Sequence, residues 1–194
     1  MTHHTIKQEH FVELAGGGNA KFRAMIDRAA AEGGGWYSPF SWTVRHFGPG
    51  IVSETVFEFT PNGSPHGFIT TLSEDEASTA KLTLAEARQV AVLGAAAAPW
   101  GLDLLDSSAF ELVEEKNEVK VGGREDFIFV YERVGARINS TNFGEAEHRV
   151  ELGVAGDQFS ALSHYLKVPE KFHRVRSSRN DVDRLSLAFV RCIL

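Results

Sequence analysis

Two histidines, His148 and His164, are the residues best suited to acid–base chemistry in this sequence. Imidazole changes its charge close to neutral pH, so either ring could act as a general acid or base. Such a role also needs a nucleophile or a carboxylate held against the ring, and the sequence alone places none there in three dimensions. We therefore assign no catalytic residues and expect the chain not to be an enzyme.

Two motifs near the N-terminus have the composition of ligand sites. The metal-ligating side chains of the first are His3, His4, Glu9 and His10. Their loose spacing is more typical of a flexible tail than of a metal site. The second motif, Gly16–Lys21, precedes a predicted helix as a phosphate-binding loop does, but it lacks the Lys-Ser/Thr ending and a preceding strand. It is better explained as a helix entry, and we expect neither a metal nor another cofactor.

The two histidines of the first candidate site belong to a predicted β-hairpin, Glu147–Glu170. Its first strand alternates apolar and polar residues, as a half-buried strand does, with Val150, Leu152 and Val154 on one side. Gly156-Asp157 supplies the turn, and Pro169 ends the returning strand because proline cannot donate a ladder hydrogen bond. The pattern predicts that this hairpin is mainly a scaffold.

The remaining predicted elements alternate between helices and strands. The helices are Asn19–Ala31 and Leu84–Ala98, the second opened by a capping box from Thr83 to Glu86, and the strands lie within Trp42–Phe47, Ile51–Thr60, Gly67–Thr70, Phe110–Val119 and Asp126–Arg133. On Asp126–Arg133, alternation places Phe127, Phe129 and Tyr131 on one face. The three tryptophans, Trp36, Trp42 and Trp100, lie near helix–sheet junctions and are predicted to anchor the core or its rim. An exposed aromatic rim would suit a protein interface.

Both halves of the chain show the same order of predicted elements. A helix leads to a tryptophan-containing connection and then to antiparallel strands that end in the hairpins Val56–Glu74 and Val150–Glu170. We interpret this as a degenerate duplication, which predicts an α+β fold of two repeated units, each with one helix packed on an antiparallel sheet. The predicted divisions are a flexible N-terminal segment (1–18), a first unit with a linker (19–82), a second unit (83–170) and a basic amphipathic C-terminal segment (171–194).

Composition restricts the class of protein. The 194 residues are 43% hydrophobic, which is ample for a packed core, and the formal net charge of -6 argues against nucleic acid as a partner. Cys192 is the single cysteine, so no disulfide framework or cysteine-based zinc site is expected. No apolar run approaches the ~20 residues of a membrane span, and no signal-peptide core is recognisable. We expect a cytoplasmic chain, with a peripheral position at the inner membrane as the alternative.

The C-terminal segment differs in charge from the rest of the chain. Between Lys167 and Arg191 there are seven basic residues against three acidic ones. Such a segment could lie against an anionic lipid surface or an acidic partner, or it could be a solvated helix face. The residues predicted to contact a partner or membrane are Lys171, Arg174, Arg176, Arg179, Arg184, Leu187, Phe189 and Arg191.

Several short motifs follow the second predicted helix in order. They are Leu112-Val113-Glu114, Arg124-Glu125-Asp126, Gly156-Asp157, Lys167-Val168-Pro169-Glu170 and Arg176-Ser177-Ser178-Arg179-Asn180. In this order they resemble the extramembrane domain of bacterial CPBP-type intramembrane proteases, and the helix-plus-three-strand unit is similar to PepSY domains. The resemblance covers the chain from Trp42 to Asp181 and implies a PepSY- or cystatin-like version of the α+β fold.

The resemblance does not extend to the protease chemistry. In that family, paired glutamates followed by an arginine lie on membrane helices, whereas Glu114-Glu115 lies in a predicted strand and Val119 takes the arginine position. The resemblance therefore implies a non-catalytic accessory subunit that docks on a membrane protein or membrane complex from the soluble side. The alternative is a small-molecule-binding domain or minor enzyme that uses a cleft between sheet and helix.

Overall fold

The computed structural model describes residues 41–50, 52–78, 81–140, 144–172 and 174. Its strands are β1 (Trp42–Phe47), β2 (Glu54–Phe59), β3 (Pro65–Thr71), β4 (Phe110–Val119), β5 (Glu125–Ser140), β6 (Gly144–Ala155) and β7 (Gln158–Lys167). Between β3 and β4 lies the helix α1 (Leu84–Ala96). Residues 170–172 and 174 are also helical.

All seven strands belong to one antiparallel sheet with the order β1-β2-β3-β7-β6-β5-β4. The prediction of an α+β fold made of two repeated helix-on-sheet units, in its PepSY- or cystatin-like form, is therefore wrong, because a single sheet dominates the described chain. The halves merge because β3 pairs with β7, with Phe68 opposite Leu162 and Ile69 opposite Ala161. The first predicted helix, Asn19–Ala31, lies outside the described residues.

Alternation along β5 and β6 builds the centre of the core. The facing pairs are Phe127 with Val154, Phe129 with Leu152, and Tyr131 with Val150. Each of these six side chains is at most 5% exposed. Alternation in the sequence places each set of three on one face of its strand, and in the structure that face is buried. Burial of this apolar surface is the main stabilising contribution of this region.

Small residues let α1 lie close to the sheet. Ala87, Ala91 and Ala95 recur at a spacing of four, on one side of the helix, and are fully buried. Gly94 permits an even closer approach, because a Cβ atom there would lie 2.4 Å from the ring of Phe159. The helix packs on β5, β6 and β7, so within the described ranges no helix covers β1–β3.

The start of α1 agrees with the predicted capping box. The Thr83 amide donates to the Glu86 carboxylate at 2.8 Å, and the Glu86 amide donates to the Thr83 hydroxyl at 3.3 Å. These bonds satisfy amide groups that have no partner within the helix. The helix ends at Ala96 rather than at the predicted Ala98, because Ala97 already has an extended backbone.

Strand β5 is longer than predicted. Its pairing with β6 is interrupted between Glu132 and Arg137 and then resumes as far as Ser140. The interruption includes Gly135, whose φ of +76° suits glycine. The strand therefore extends well beyond the predicted end at Arg133. Among the described helices, none combines the length and the apolarity that a membrane crossing requires.

Candidate functional site

Three histidines from neighbouring strands form a stacked row on the helix-side face of the sheet. They are His66 on β3, His164 on β7 and His148 on β6, and together we call them the histidine row. The ring centroids of His66 and His164 are 4.5 Å apart, and those of His164 and His148 are 5.3 Å apart. The Nε2 atom of His148 lies 3.2 Å from Nδ1 of His164, within hydrogen-bonding distance.

Strand register explains how the chain assembles this row. His148 lies two residues before Val150 and therefore on the same face, and Val150 is directly opposite His164. His66 has the same relation to Phe68 on β3, which is opposite Leu162. The sequence identified His148 and His164 but missed His66. The spacing of His66 and Phe68 indicates that both side chains lie on one face of their strand. It does not place His66 beside His164 unless the pairing of β3 with β7 is known.

Desolvation favours the neutral form of each ring in the histidine row, in which His148 is fully buried and His66 and His164 are half-buried. Desolvation, with smaller contributions from the charges of Arg133 and His66, lowers the pKa of His148 to about 3. Desolvation also lowers the pKa of His66, and it places the pKa of His164 well below its ordinary value with help from His148, His66 and Arg133. A ring with so low a pKa is a poor proton acceptor at neutral pH. The two histidines considered as acid or base are thus close together, but as an uncharged pair.

The histidine row does not have the geometry of a metal site. Its rings lie nearly face to face, with interplanar angles of 16° and 19°, so their nitrogen atoms do not converge on one point. Across the described ranges, no group of three or more His, Cys, Asp or Glu side chains is arranged to hold a metal ion. The predicted N-terminal candidates, His3, His4, Glu9, His10 and Gly16–Lys21, lie outside the described residues.

A second candidate site is the hairpin at one end of the sheet. Four large apolar side chains in β1 and the turn to β2 are exposed: Trp42 (68%), Val44 (53%), Phe47 (64%) and Val52 (73%). We call these four residues the edge patch. Every residue of β1 is exposed, and within the described chain β1 pairs on one side only, with β2. Of the predicted tryptophan anchors, Trp42 therefore lies at an exposed rim, whereas Trp100 stacks on Phe68 at 5.3 Å; Trp36 lies outside the described residues.

The opposite end of the sheet has a different surface. The edge strand β4 has the sequence FELVEEKNEV, with four glutamates and a lysine. Lys116 forms an ion pair with Glu114, and Arg88 of α1 approaches Glu115 at 3.7 Å. Charged side chains on an edge strand disfavour its pairing with another chain. Of the two ends of the described sheet, β4 is thus guarded by charge, while β1 exposes apolar residues.

A third candidate is a groove of about 620 Å³ on the face of the sheet opposite α1. Ile69, Ile128, Gly153 and Ala161 contribute to its floor, and charged side chains surround them. Several of these charges are paired, for example Lys120 with Glu118 at 2.7 Å. The groove has room for a small ligand, but it lies on the open face of the sheet rather than between sheet and helix.

One end of this groove is closed by a buried arginine. Arg124 is 4% exposed and binds both oxygens of Asp126, through Nε at 2.7 Å and Nη2 at 3.1 Å. Its Nη1 donates to the carbonyl oxygens of Ser73 at 2.9 Å and Glu76 at 3.2 Å. The Arg124-Glu125-Asp126 motif therefore clamps the loop after β3 onto the start of β5. We call Arg124 and Asp126 the arginine clamp.

Only two of the predicted C-terminal contact residues can be placed. Lys171 and Arg174 are exposed, and Arg174 pairs with Glu170 at 3.0 Å. The other predicted contacts lie outside the described residues: Arg176, Arg179, Arg184, Leu187, Phe189 and Arg191. Comparisons with known protein families, with curated proteins and with solved structures found no match. The resemblance to CPBP-type proteases and PepSY domains therefore stays a prediction.

Proposed function

We propose that this chain is a non-catalytic interaction module that binds an extended segment of a partner protein along β1. The observation that carries this proposal is the contrast between the sheet edges: β4 is lined with charges, whereas β1 exposes the edge patch. Soluble proteins normally protect an exposed edge strand, since it can pair with another chain. The β1 strand has one charged side chain and two exposed aromatic ones, whereas β4 has five charged side chains and its exposed large apolar residues are valines, so β1 is the better docking surface.

The geometry of an edge strand determines the kind of segment it would accept. The unpaired backbone N–H and C=O groups of a strand edge bind the backbone of an added strand, which gives affinity with little dependence on sequence. Specificity comes from side chains that alternate between the two faces. Trp42 and Val44 extend the helix-side face, because they are opposite Phe59 and Phe57, while Phe47 lies on the other face. A segment with apolar residues on both faces would fit best.

The partner that we propose is a membrane protein or a subunit of a membrane complex. The basic C-terminal segment supports this choice, because anionic headgroups beside such a partner would attract it. Lys171 and Arg174, the two described members of the predicted contact set, are both exposed. Docking through β1 and charge attraction through the C-terminal segment would act together on one membrane-bound partner.

Site-specific photo-crosslinking tests the proposal. A photoreactive residue at Thr43 in β1 should form an adduct with a membrane protein in solubilised membranes, and the adduct should map to one segment of that protein. The same photoreactive residue at Glu115 in β4 should give no adduct. Replacing two edge-patch aromatics, as Trp42→Ser/Phe47→Ser, should weaken binding by about 30-fold or more, because buried aromatic residues dominate interface energies.

The matched control is Leu93→Ser/Val121→Ser, which removes two similarly exposed apolar side chains away from β1, one on α1 and one in the turn between β4 and β5. This variant should bind as the wild type does. Equal labelling from Thr43 and Glu115, or equal losses in the two double variants, would exclude β1 as the docking surface. Undiminished binding of Trp42→Ser/Phe47→Ser to protein-free anionic vesicles would instead point to lipid as the partner.

The groove opposite α1 supports a second proposal, a small-molecule-binding domain. A ligand that occupies the groove should raise the melting temperature of the wild type, since it binds the folded state alone. Ala161→Phe would fill the groove from its floor and should abolish that shift, whereas Phe47→Ala at the distant edge should leave it unchanged. A shift that survives Ala161→Phe would place the ligand elsewhere.

A further inference from the structure

We propose that the histidine row is an acid-sensitive seam that joins β1–β3 to the rest of the sheet, and that its protonation releases β1–β3. The row crosses the boundary between β3 and β7, where the two halves of the sheet meet. Acidification would therefore open the sheet along one line before the remaining strands separate. This acid-induced opening does not depend on whether β1 binds a partner.

The β3–β7 junction is the shortest pairing in the described sheet. Its register comprises two residue pairs, Phe68 with Leu162 and Ile69 with Ala161, whereas the β6–β7 register comprises nine. A short ladder contributes few hydrogen bonds, so side-chain contacts must supply most of the cohesion across it. Local opening follows such weak boundaries.

Two pairs of aromatic rings make contact across the junction. Phe68 lies edge-on to Phe159 of β7 at 5.3 Å, and His66 stacks on His164 at 4.5 Å. The strands approach closely beside these pairs, because a Cβ atom at Gly67 would lie 2.6 Å from the Leu162 carbonyl oxygen. The stacked pair of His66 and His164 is thus one of two ring contacts that supplement the two residue pairs in the β3–β7 ladder.

Protonation would turn this attractive stacking into repulsion. Once both are protonated, His66 and His164 would repel each other as like charges at stacking distance, with His148 next in line. Arg133 on β5 already acts on His164 and His148 as a positive charge. Each added proton therefore increases the positive charge of the same cluster.

Among the described residues, no acidic side chain acts on the pKa values of the three histidines. Glu58 on β2 is opposite Gly67 and therefore lies on the other face of the sheet from His66. On α1, the charged residues are Glu86 and Arg88. Glu86 caps the helix at Thr83, and Arg88 approaches Glu115 on β4. Opening of the seam gives the protonated rings fuller access to water, which relieves the repulsion.

Hydrogen–deuterium exchange of the full chain at about pH 7.5 and about pH 5, corrected for intrinsic rates, tests the seam. Each histidine that regains a solvated pKa of about 6.5 on opening should increase the open fraction by up to about 30-fold between these pH values. Protection at Phe68, Ile69, Ala161 and Leu162 should fall by up to that factor for each histidine that is released. Protection in the β5–β6 ladder should stay higher than protection at the seam at both pH values, because that ladder opens only when the whole sheet unfolds.

Substitutions distinguish the effect of protonating the histidine row on seam protection from the effects of other titrating groups. His66→Phe keeps an aromatic ring in the stack but cannot be protonated, so the loss of seam protection should shrink by up to about 30-fold. His46→Phe, at an exposed histidine on β1, should leave the loss unchanged. Equal protection at the seam and in the β5–β6 ladder of the wild type at about pH 5 would overturn the proposal, whether or not the variants fold. So would seam protection that is constant between the two pH values.

Discussion

Replacing Arg124 with methionine is expected to lower the free energy of unfolding by about 3–5 kcal/mol. Methionine fills much of the same space, so the loss comes from charge and hydrogen bonding rather than from a cavity. The variant leaves the Asp126 carboxylate, which is 20% exposed, without its bidentate partner, and it removes the donor to the carbonyl oxygens of Ser73 and Glu76. Denaturant unfolding monitored by circular dichroism measures the change.

Two further variants define what the arginine clamp contributes. Arg137→Met removes an exposed ion pair with Glu145, so it should lower the stability far less than Arg124→Met does. Arg124→Met/Asp126→Ala should be more stable than Arg124→Met alone, because it also removes the carboxylate that lost its partner. If Arg124→Met were as mild as Arg137→Met, the clamp would not hold the loop after β3 in place.

Acidification is the second change with a large expected effect, through His148. The pKa of this ring is about 3 in the folded chain and about 6.5 when the chain unfolds, so the unfolded state binds more protons between those values. The stability that neutral His148 provides is fully present above about pH 6.5 and is lost as the pH falls toward about 3. The loss is about 1.4 kcal/mol for each pH unit, or about 3 kcal/mol by about pH 4.

Unfolding free energies measured at a series of pH values for the wild type and for His148→Leu isolate this contribution from that of the carboxylates. Leucine is apolar and cannot be protonated, so the difference in stability between the two proteins should shift by about 3 kcal/mol in favour of the variant between about pH 7 and about pH 4. His46→Leu should show the pH dependence of the wild type. A difference that stays constant with pH would mean that His148 is already protonated or solvated in the folded chain.

The sequence was sufficient wherever structure depends on near neighbours. Alternation alone assigned Val150, Leu152 and Val154 to the buried face, because side chains of a strand must alternate between faces. The capping box at Thr83 likewise identified where α1 begins, since its donor and acceptor lie within one helical turn. Both predictions use information from a few consecutive residues.

The two-unit fold failed because it required knowledge of distant pairing. Similar hairpins in the two halves indicated a repeat. A hairpin pattern does not reveal which other strand pairs with the hairpin's free edge. The decisive contact is Phe68 with Leu162, and nothing near either residue in sequence predicts it. The same contact brings His66 to His164, which is why two members of the histidine row were found and the third was missed.

The arginine clamp illustrates a different limit. In the sequence, Arg124-Glu125-Asp126 stands out only through the family resemblance. The spacing of Arg124 and Asp126 indicates that both side chains lie on the same side of an extended chain. The partners that make Arg124 important are the backbone carbonyls of Ser73 and Glu76, on a loop much earlier in the chain. Backbone acceptors leave no residue-type signature, so their contribution could not be predicted.

The unlike edges of the sheet also bear on whether the protein stays in solution. A filament would need β1 of one copy to pair with β4 of the next, and the glutamates of β4 make that pairing costly to desolvate. If β1 paired with β1 of a second copy, both apolar edges would be covered and the assembly would stop at a dimer. If β1 binds other chains, the charge on β4 therefore keeps copies of the protein from joining edge to edge into a filament.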